Sequence, residues 1–224
     1  MKNPHNSKET QEEYTAVHTP RWTETIAWIK AIKGFPEYPK VLEISNRSQL
    51  AEMVVEEFGG KVDNTNFDVR KEAEWKRMRK KYDLVLNCEV IEHLPDCDNP
   101  HGEFDAKGVK TCLEGCARAL DKGGHLLLTT PNASSTVVLD RWIQGWDPAN
   151  WAPHPRELGY STVRELVKQA GFEIVRSETP EVYDHKKTPE MLERRAWLNE
   201  KMTLLGAPVD FRGETTFILA KKKG

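Results

Sequence analysis

Long apolar runs are missing from this chain of 224 residues. Nowhere do about 20 consecutive apolar residues occur, the length a membrane-spanning helix requires, and the first thirty residues carry no apolar block of the signal-peptide kind. A cytoplasmic protein without a membrane partner is therefore expected. Cysteine is scarce: Cys88, Cys97, Cys112 and Cys116 are the four, with no CxxC pair among them. Cys112 and Cys116 are spaced i, i+4, which suits one helical face, and reduced thiols are expected. Neither sign of charge is in excess, since 33 Lys and Arg stand against 35 Asp and Glu for a formal net charge of −2. Nucleic acid is thus not indicated as a partner, although residues 76–81 and 221–223 are locally basic. There is no internal repeat, no low-complexity tract and no G-x-G-x-x-G, and the last absence argues against a nicotinamide-dependent oxidoreductase.

A content of 38% hydrophobic and 30% charged residues supports one core, so a single domain over residues 1–224 is expected, with an N-terminal helical cap (1–39) and an α/β core (40–224). Thr19-Pro20 followed by Trp22, Ile26, Ile29 and Ile32 predicts an amphipathic helix from about Pro20 to Lys33. Val41–Ser45 reads as a strand, and Leu50, Met53, Val54 and Phe58 give the helix after it. An extended piece over Lys61–Asp68 precedes the strand Tyr82–Asn87, whose near-continuous apolar character fits a parallel strand covered on both faces. A helix over 110–120, the turn Lys122-Gly123-Gly124, the strand His125–Pro131, a helix over Ser161–Ala170, the strand Phe172–Arg176, a helix near 188–205 and the strand Thr215–Ala220 complete the chain. The alternation predicts an α/β, doubly wound, Rossmann-like sheet of about seven mostly parallel strands, the last one antiparallel.

In such sheets, ligands bind outside the carboxyl ends of the strands, so the residues after Ile44, Asn87 and Thr130 are the ones to read. CEVIEHLPD (Cys88–Asp96) follows the third strand and spaces Glu89, Glu92 and His93 at i, i+3 and i+4, one face of a helical turn. Two carboxylates and an imidazole are expected to converge there.

The order and spacing of EVIEHLPD, DKGGHLLLTTPN and RELVKQAGFEIV resemble the class I S-adenosylmethionine-dependent methyltransferases. The resemblance implies S-adenosylmethionine as cofactor, with Glu43 helping to hold its amino group, and Ile44, Ser45 and Asn46 beside it. It also implies Asn66 and Asp68, with Asp63 as the alternative, toward the ribose, and Cys88 with Glu89 at the next strand. A subgroup that includes small-RNA 2′-O-methyltransferases and ubiquinone-pathway O-methyltransferases uses an E-x-x-E-H turn to hold a divalent metal. Carried over, Glu89, Glu92 and His93, with His154 as a fourth ligand, would bind Mg²⁺, Mn²⁺ or Zn²⁺ and lower the pKa of an acceptor hydroxyl. His93 and Glu92 are the catalytic candidates, and without metal His93 is the candidate general base. The expected reaction is methylation of an oxygen on a small molecule or glycan.

The first loop departs from the family's E-x-G-x-G-x-G, because Ser45, Arg47 and Gln49 occupy the glycine positions. Glycine there permits positive φ and close approach of backbone to ligand. The alternative function is accordingly a catalytically inactive, methyltransferase-like binding or scaffolding domain. Asp96–Lys107 is a candidate lid. Tyr14, Trp22, Trp142, Trp146, Trp151 and Tyr160 are candidates for stacking on an acceptor, and His18, Arg21 and Arg156 for binding an anionic one.

Overall fold

The central strand of the sheet, β3 (Tyr82–Cys88 in YDLVLNC), is apolar because both of its faces are covered: Leu84, Val85 and Leu86 have no accessible surface. It belongs to a computed structural model that describes residues 11–45, 48–94, 106–149, 154, 156–183, 188–208 and 210–224. Beside β3 lie β1 (Lys40–Glu43) and β2 (Lys61–Asn64) on one side, and β4 (Leu120–Pro131), β6 (Thr215–Lys222) and β5 (Phe172–Glu178) on the other. The order β2-β1-β3-β4-β6-β5 is parallel except for β6, which runs antiparallel to both of its neighbours, as expected for the last strand.

The sheet has six strands, not about seven. Between β2 and β3 the chain carries the short helix α3 (Glu72–Arg77), whose Trp75 is buried with its indole N–H on the Val69 carbonyl at 2.8 Å. That helix leaves no room in a short connection for a further strand.

Helices cover both faces. On one, Val109, Cys112, Leu113 and Cys116 of α4 (Lys107–Ala119) and Val163, Leu166 and Val167 of α6 (Tyr160–Gln169) pack on Leu42, Val85, Leu126 and Leu128. On the other, α1 (Gln11–Lys30) and α2 (Gln49–Phe58) place Trp22, Ile26, Trp28, Ile29, Leu50 and Val54 against Leu84, Leu86, Leu127 and Phe217. α1 starts nine residues before the expected Pro20 and runs through it. Proline removes one backbone donor, and here Thr19 Oγ1 donates to the Thr15 carbonyl at 2.7 Å while the buried Trp22, Ile26 and Ile29 hold the helix onto the sheet. Packing outweighs the local start signal.

Two further helices are α5 (Thr136–Ile143), capped by the Ser135 hydroxyl, which accepts from Val138 N at 3.2 Å, and α7 (Pro189–Leu204), capped by Thr188. Asn132, fully buried after β4, joins three segments. Its amide donates to the carbonyls of Phe211 (3.0 Å) and Gly213 (2.9 Å), and its oxygen accepts from Ser134 N (3.0 Å) and Tyr160 N (3.1 Å). Among the described residues, no helix is long and apolar enough to cross a membrane.

The α3 and α4 pair allows a direct test of packing. A Cβ on Gly115 would lie 2.1 Å from the Trp75 ring, which is wedged between the helices. Gly115→Ala is therefore expected to lower the free energy of unfolding by about 1–3 kcal/mol despite alanine's better helix propensity. An unchanged urea midpoint would show that Trp75 can move aside.

Candidate active site

β1 ends in Glu43, a carboxylate only 4% exposed. It accepts from Ser48 N at 3.3 Å, from the Ser48 hydroxyl and from the Asn64 amide at 2.7 Å. Ser48 is also the N-cap of α2, its hydroxyl accepting from Ala51 N at 3.4 Å. One acidic side chain thus ties the end of β1, the end of β2 and the entrance of α2 into a bracket. Ser45 is half-buried here, whereas Ile44 is 1% exposed in the core and can offer a ligand only its backbone. Asn46 and Arg47 lie outside the described residues.

The end of β2 is Asn64, which pairs with Glu43 in register, so the strand stops before the expected Asn66 and Asp68. Asn66 is exposed beyond it. Asp68 is engaged by Arg70 through two hydrogen bonds of 2.8 and 2.9 Å, which hold its carboxyl below the usual range. Asp63 is engaged by Lys61, Lys80 and Tyr82. Of these residues, Asn64 alone touches the Glu43 bracket.

At the end of β3, burial pushes the Cys88 thiol up to about 12, against the opposing pull of Arg21. Glu89 turns the chain with φ +56°, outside the helical region, and only Ile91–His93 form a 3₁₀ turn. The expected helical face of Glu89, Glu92 and His93 is therefore not continuous. The group whose ligand atoms lie within 4.8 Å of one another is Glu92, His93 and His154, without Glu89. His154 arrives from the segment before α6, its ring 4.8 Å from that of His93 and its Nδ1 2.7 Å from Glu157 Oε1.

Glu92 is 1% exposed. Its Oε2 accepts from the Thr130 hydroxyl at 2.9 Å, while Oε1 has no hydrogen-bond partner among the described residues. Burial first, and the neighbouring Glu89 second, raise this carboxyl well above its ordinary value. Burial and the facing His154 lower the pKa of His93, which favours the neutral imidazole.

Above the acidic pair lies Arg21 of α1, 3% exposed. Its Nη1 donates to Thr129 Oγ1 at 3.4 Å, and its Nε has no hydrogen-bond partner among the described residues. Burial alone would favour the neutral form, but Glu89, Tyr183 and Cys88 outweigh it and hold the guanidinium charged. Tyr14, His18 and Trp22 of α1 form a ladder of rings, with Tyr183 edge-on to His18 at 5.7 Å.

The other aromatic candidates do not gather here. Trp142 and Trp146 are 62% and 48% exposed, Tyr160 is buried and stacked on Phe211, and Trp151 lies outside the described residues, as does most of Asp96–Lys107. Arg156 is half-buried. Asn64, Thr130, Glu157 and Tyr183 are site neighbours that the sequence reading did not single out. Asn64 follows from asking which residue ends β2, and Thr130 lies one residue before the end of β4, but nothing in the local sequence points to Tyr183.

A largely parallel sheet with one reversed strand, and acidic residues at the ends of β1 and β3, is the architecture of the class I S-adenosylmethionine-dependent methyltransferases. Residues 14–177 match the model of the Methyltransferase domain family, and the chain belongs to that family. It is 35% identical over 92 residues, 41% of this chain and 29% of the relative, to a Mycolicibacterium smegmatis protein named "Probable S-adenosylmethionine-dependent methyltransferase". It is 25% identical over 101 residues, 43% of this chain and 36% of the relative, to the ubiquinone biosynthesis O-methyltransferase of Cereibacter sphaeroides. The chain thus spans about a third of the length of these curated relatives. In fold it is similar to a SAM-dependent methyltransferase from Archaeoglobus fulgidus, with a TM-score of 0.55 at 16% identity, over 93% of this chain and 99% of the other.

The raised pKa of Glu92 has a consequence for stability. The folded protein binds this proton more tightly than the unfolded chain, whose ordinary value is 4.5. The contribution is full below that value and is lost as pH rises through the folded-state pKa, so stability falls toward high pH. Glu92→Gln removes the ionisation and should flatten that fall above pH 4.5, read as urea midpoints. Identical pH slopes in the two proteins would mean that Glu92 ionises freely in the fold.

Proposed function

We propose that this protein transfers the methyl group of S-adenosylmethionine to an oxygen of a small molecule or glycan. The observation that carries this reading is the position of the Glu43 bracket and the Glu92, His93 and His154 group on one edge of one sheet. The donor supplies an electrophilic methyl group next to a zwitterionic amino-acid end. Glu43 is a buried carboxylate suited to its ammonium, and it retains acceptor capacity beyond the bonds from Ser48 and Asn64. Arg21 is a buried guanidinium whose Nε has no hydrogen-bond partner among the described residues, and it suits the donor's carboxylate. The N–H groups at the start of α2 face the same edge.

At the acceptor end, Glu92 Oε1, His93 and His154 form a mixed oxygen and nitrogen set that could hold Mg²⁺, Mn²⁺ or Zn²⁺. A cation there would lower the pKa of an acceptor hydroxyl. Glu89 is not in that set and serves the donor side, beside Arg21. With no cation bound, His93, whose lowered pKa favours the neutral imidazole, takes the hydroxyl proton. In-line methyl transfer then needs alignment and exclusion of water more than covalent participation by the protein.

A second reading, a methyltransferase-like domain that binds a partner without catalysis, draws on the bracket itself: Glu43 is already engaged by Ser48 and Asn64, and Arg47 and Gln49 stand where the family has glycine. Calorimetry with S-adenosylhomocysteine separates the two. The enzyme reading expects binding, weakened in Glu43→Ala by about 1.5–3 kcal/mol, roughly 10- to 150-fold. No heat and no thermal shift at millimolar ligand would leave the second reading in place.

The metal is tested separately by titrating Mn²⁺ into the wild type and His154→Ala. Binding in the first and its loss in the second, with S-adenosylhomocysteine affinity kept, is the expected result. Failure of the wild type to bind Mn²⁺, Mg²⁺ or Zn²⁺ would return His93 to the role of a metal-free base.

A further inference from the structure

Glu214, immediately before β6, is a buried carboxylate that divides its two oxygens. Oε1 takes Nη1 of Arg195 on α7 at 3.3 Å, and Oε2 accepts the backbone N–H of Tyr183 at 3.1 Å. Both members of the ion pair are buried, Arg195 at 7% and Glu214 at 6% exposure. Thr215 N adds a bond to the Pro180 carbonyl at 3.4 Å, and Val182 is buried in the core beside them. The stretch Pro180–Tyr183, which has no regular secondary structure, is thereby strapped down from two sides.

What the strap delivers is the Tyr183 side chain. Its hydroxyl donates to Glu89 Oε2 in a long bond of 3.4 Å and hydrogen-bonds with Arg21, and its ring meets His18 edge-on. Burial and the neighbouring Glu89 keep the phenol protonated, so it acts as a donor toward that carboxylate.

Buried ion pairs are weak contributors to stability, since an apolar replacement of similar volume often serves as well. A pair that spends one carboxylate oxygen on the main chain of a site neighbour does something that an apolar pair could not. We propose that Tyr183 is a positioning residue of the donor site, orienting Arg21 and Glu89, and that the buried Arg195 and Glu214 pair sets Tyr183 in place. This rests on the assignment of Arg21 and Glu89 to the donor under the proposed function.

The test is a double-mutant cycle on S-adenosylhomocysteine affinity, measured by calorimetry with thermal midpoints recorded alongside. Tyr183→Phe keeps the ring and removes the hydroxyl, and about 5- to 10-fold weaker binding is expected. Arg195→Met should weaken binding similarly, Arg195→Lys should recover much of the loss, and the double variant should bind no more than about 2-fold worse than the weaker single, because the two act along one line. Should Arg195→Met fail to fold, Glu214→Gln takes its place in the cycle. A merely structural pair would lower the midpoint and leave affinity untouched. Wild-type affinity in folded Tyr183→Phe, or losses that multiply in the double variant, overturns the proposal. Absence of binding in the wild type itself would instead remove the donor assignment on which it stands.

Discussion

The carboxyl edge of the sheet is organised by the need to bury a guanidinium. Arg21 is carried by α1 into a place with almost no water, next to Cys88, Glu89, Thr129 and Tyr183. A charge in that position is tolerable only where opposite charge and hydrogen-bond acceptors already stand. Glu89 supplies the charge, and it is also the left-handed residue through which the chain leaves β3. With Arg21 fixed, Trp22, Ile26 and Ile29 fall on the sheet, and one helix serves both the core and the site.

Polar side chains organise the entrance of α2. Ser48 caps α2 and donates to Glu43 at once. Asn64 extends that network across to β2. An amide at the end of β2 is compatible with this arrangement because it can donate to Glu43, which a carboxylate could not do.

Much of the sheet was legible in the sequence because parallel strands buried on both faces read as uninterrupted apolar runs, as in YDLVLN and HLLLTT. The start of α1 was not, since Thr19-Pro20 is a good local start signal that tertiary packing overrides. Lys61–Asp68 was read as extended throughout, while pairing with β1 ends at Asn64; the polar run Asn64-Thr65-Asn66 gives no period to mark that point. In the site, His93 and Glu92 were legible from spacing and His154 from its place after β4, whereas Glu89 departs from the helical face because its φ is positive. Tyr183 could not have been found, since what brings it to Glu89 is an ion pair between residues 195 and 214, distant in sequence from both.

The reversal of β6 decides which parts of the chain can influence ligands at all. In a parallel strand, the residues that follow it reach the ligand edge; in β6, the residues that precede it do, so Glu214, Thr215 and the turn at 210–213 border the site, while Lys221 and Lys222 emerge at the far edge beside Arg118 and Leu120. Length changes between α7 and β6 would therefore act on the carboxyl edge of the sheet, and they would do so through Asn132, which holds the Phe211 and Gly213 carbonyls and the start of α6 in the same grip. Length changes after β6 fall on the opposite edge of the sheet.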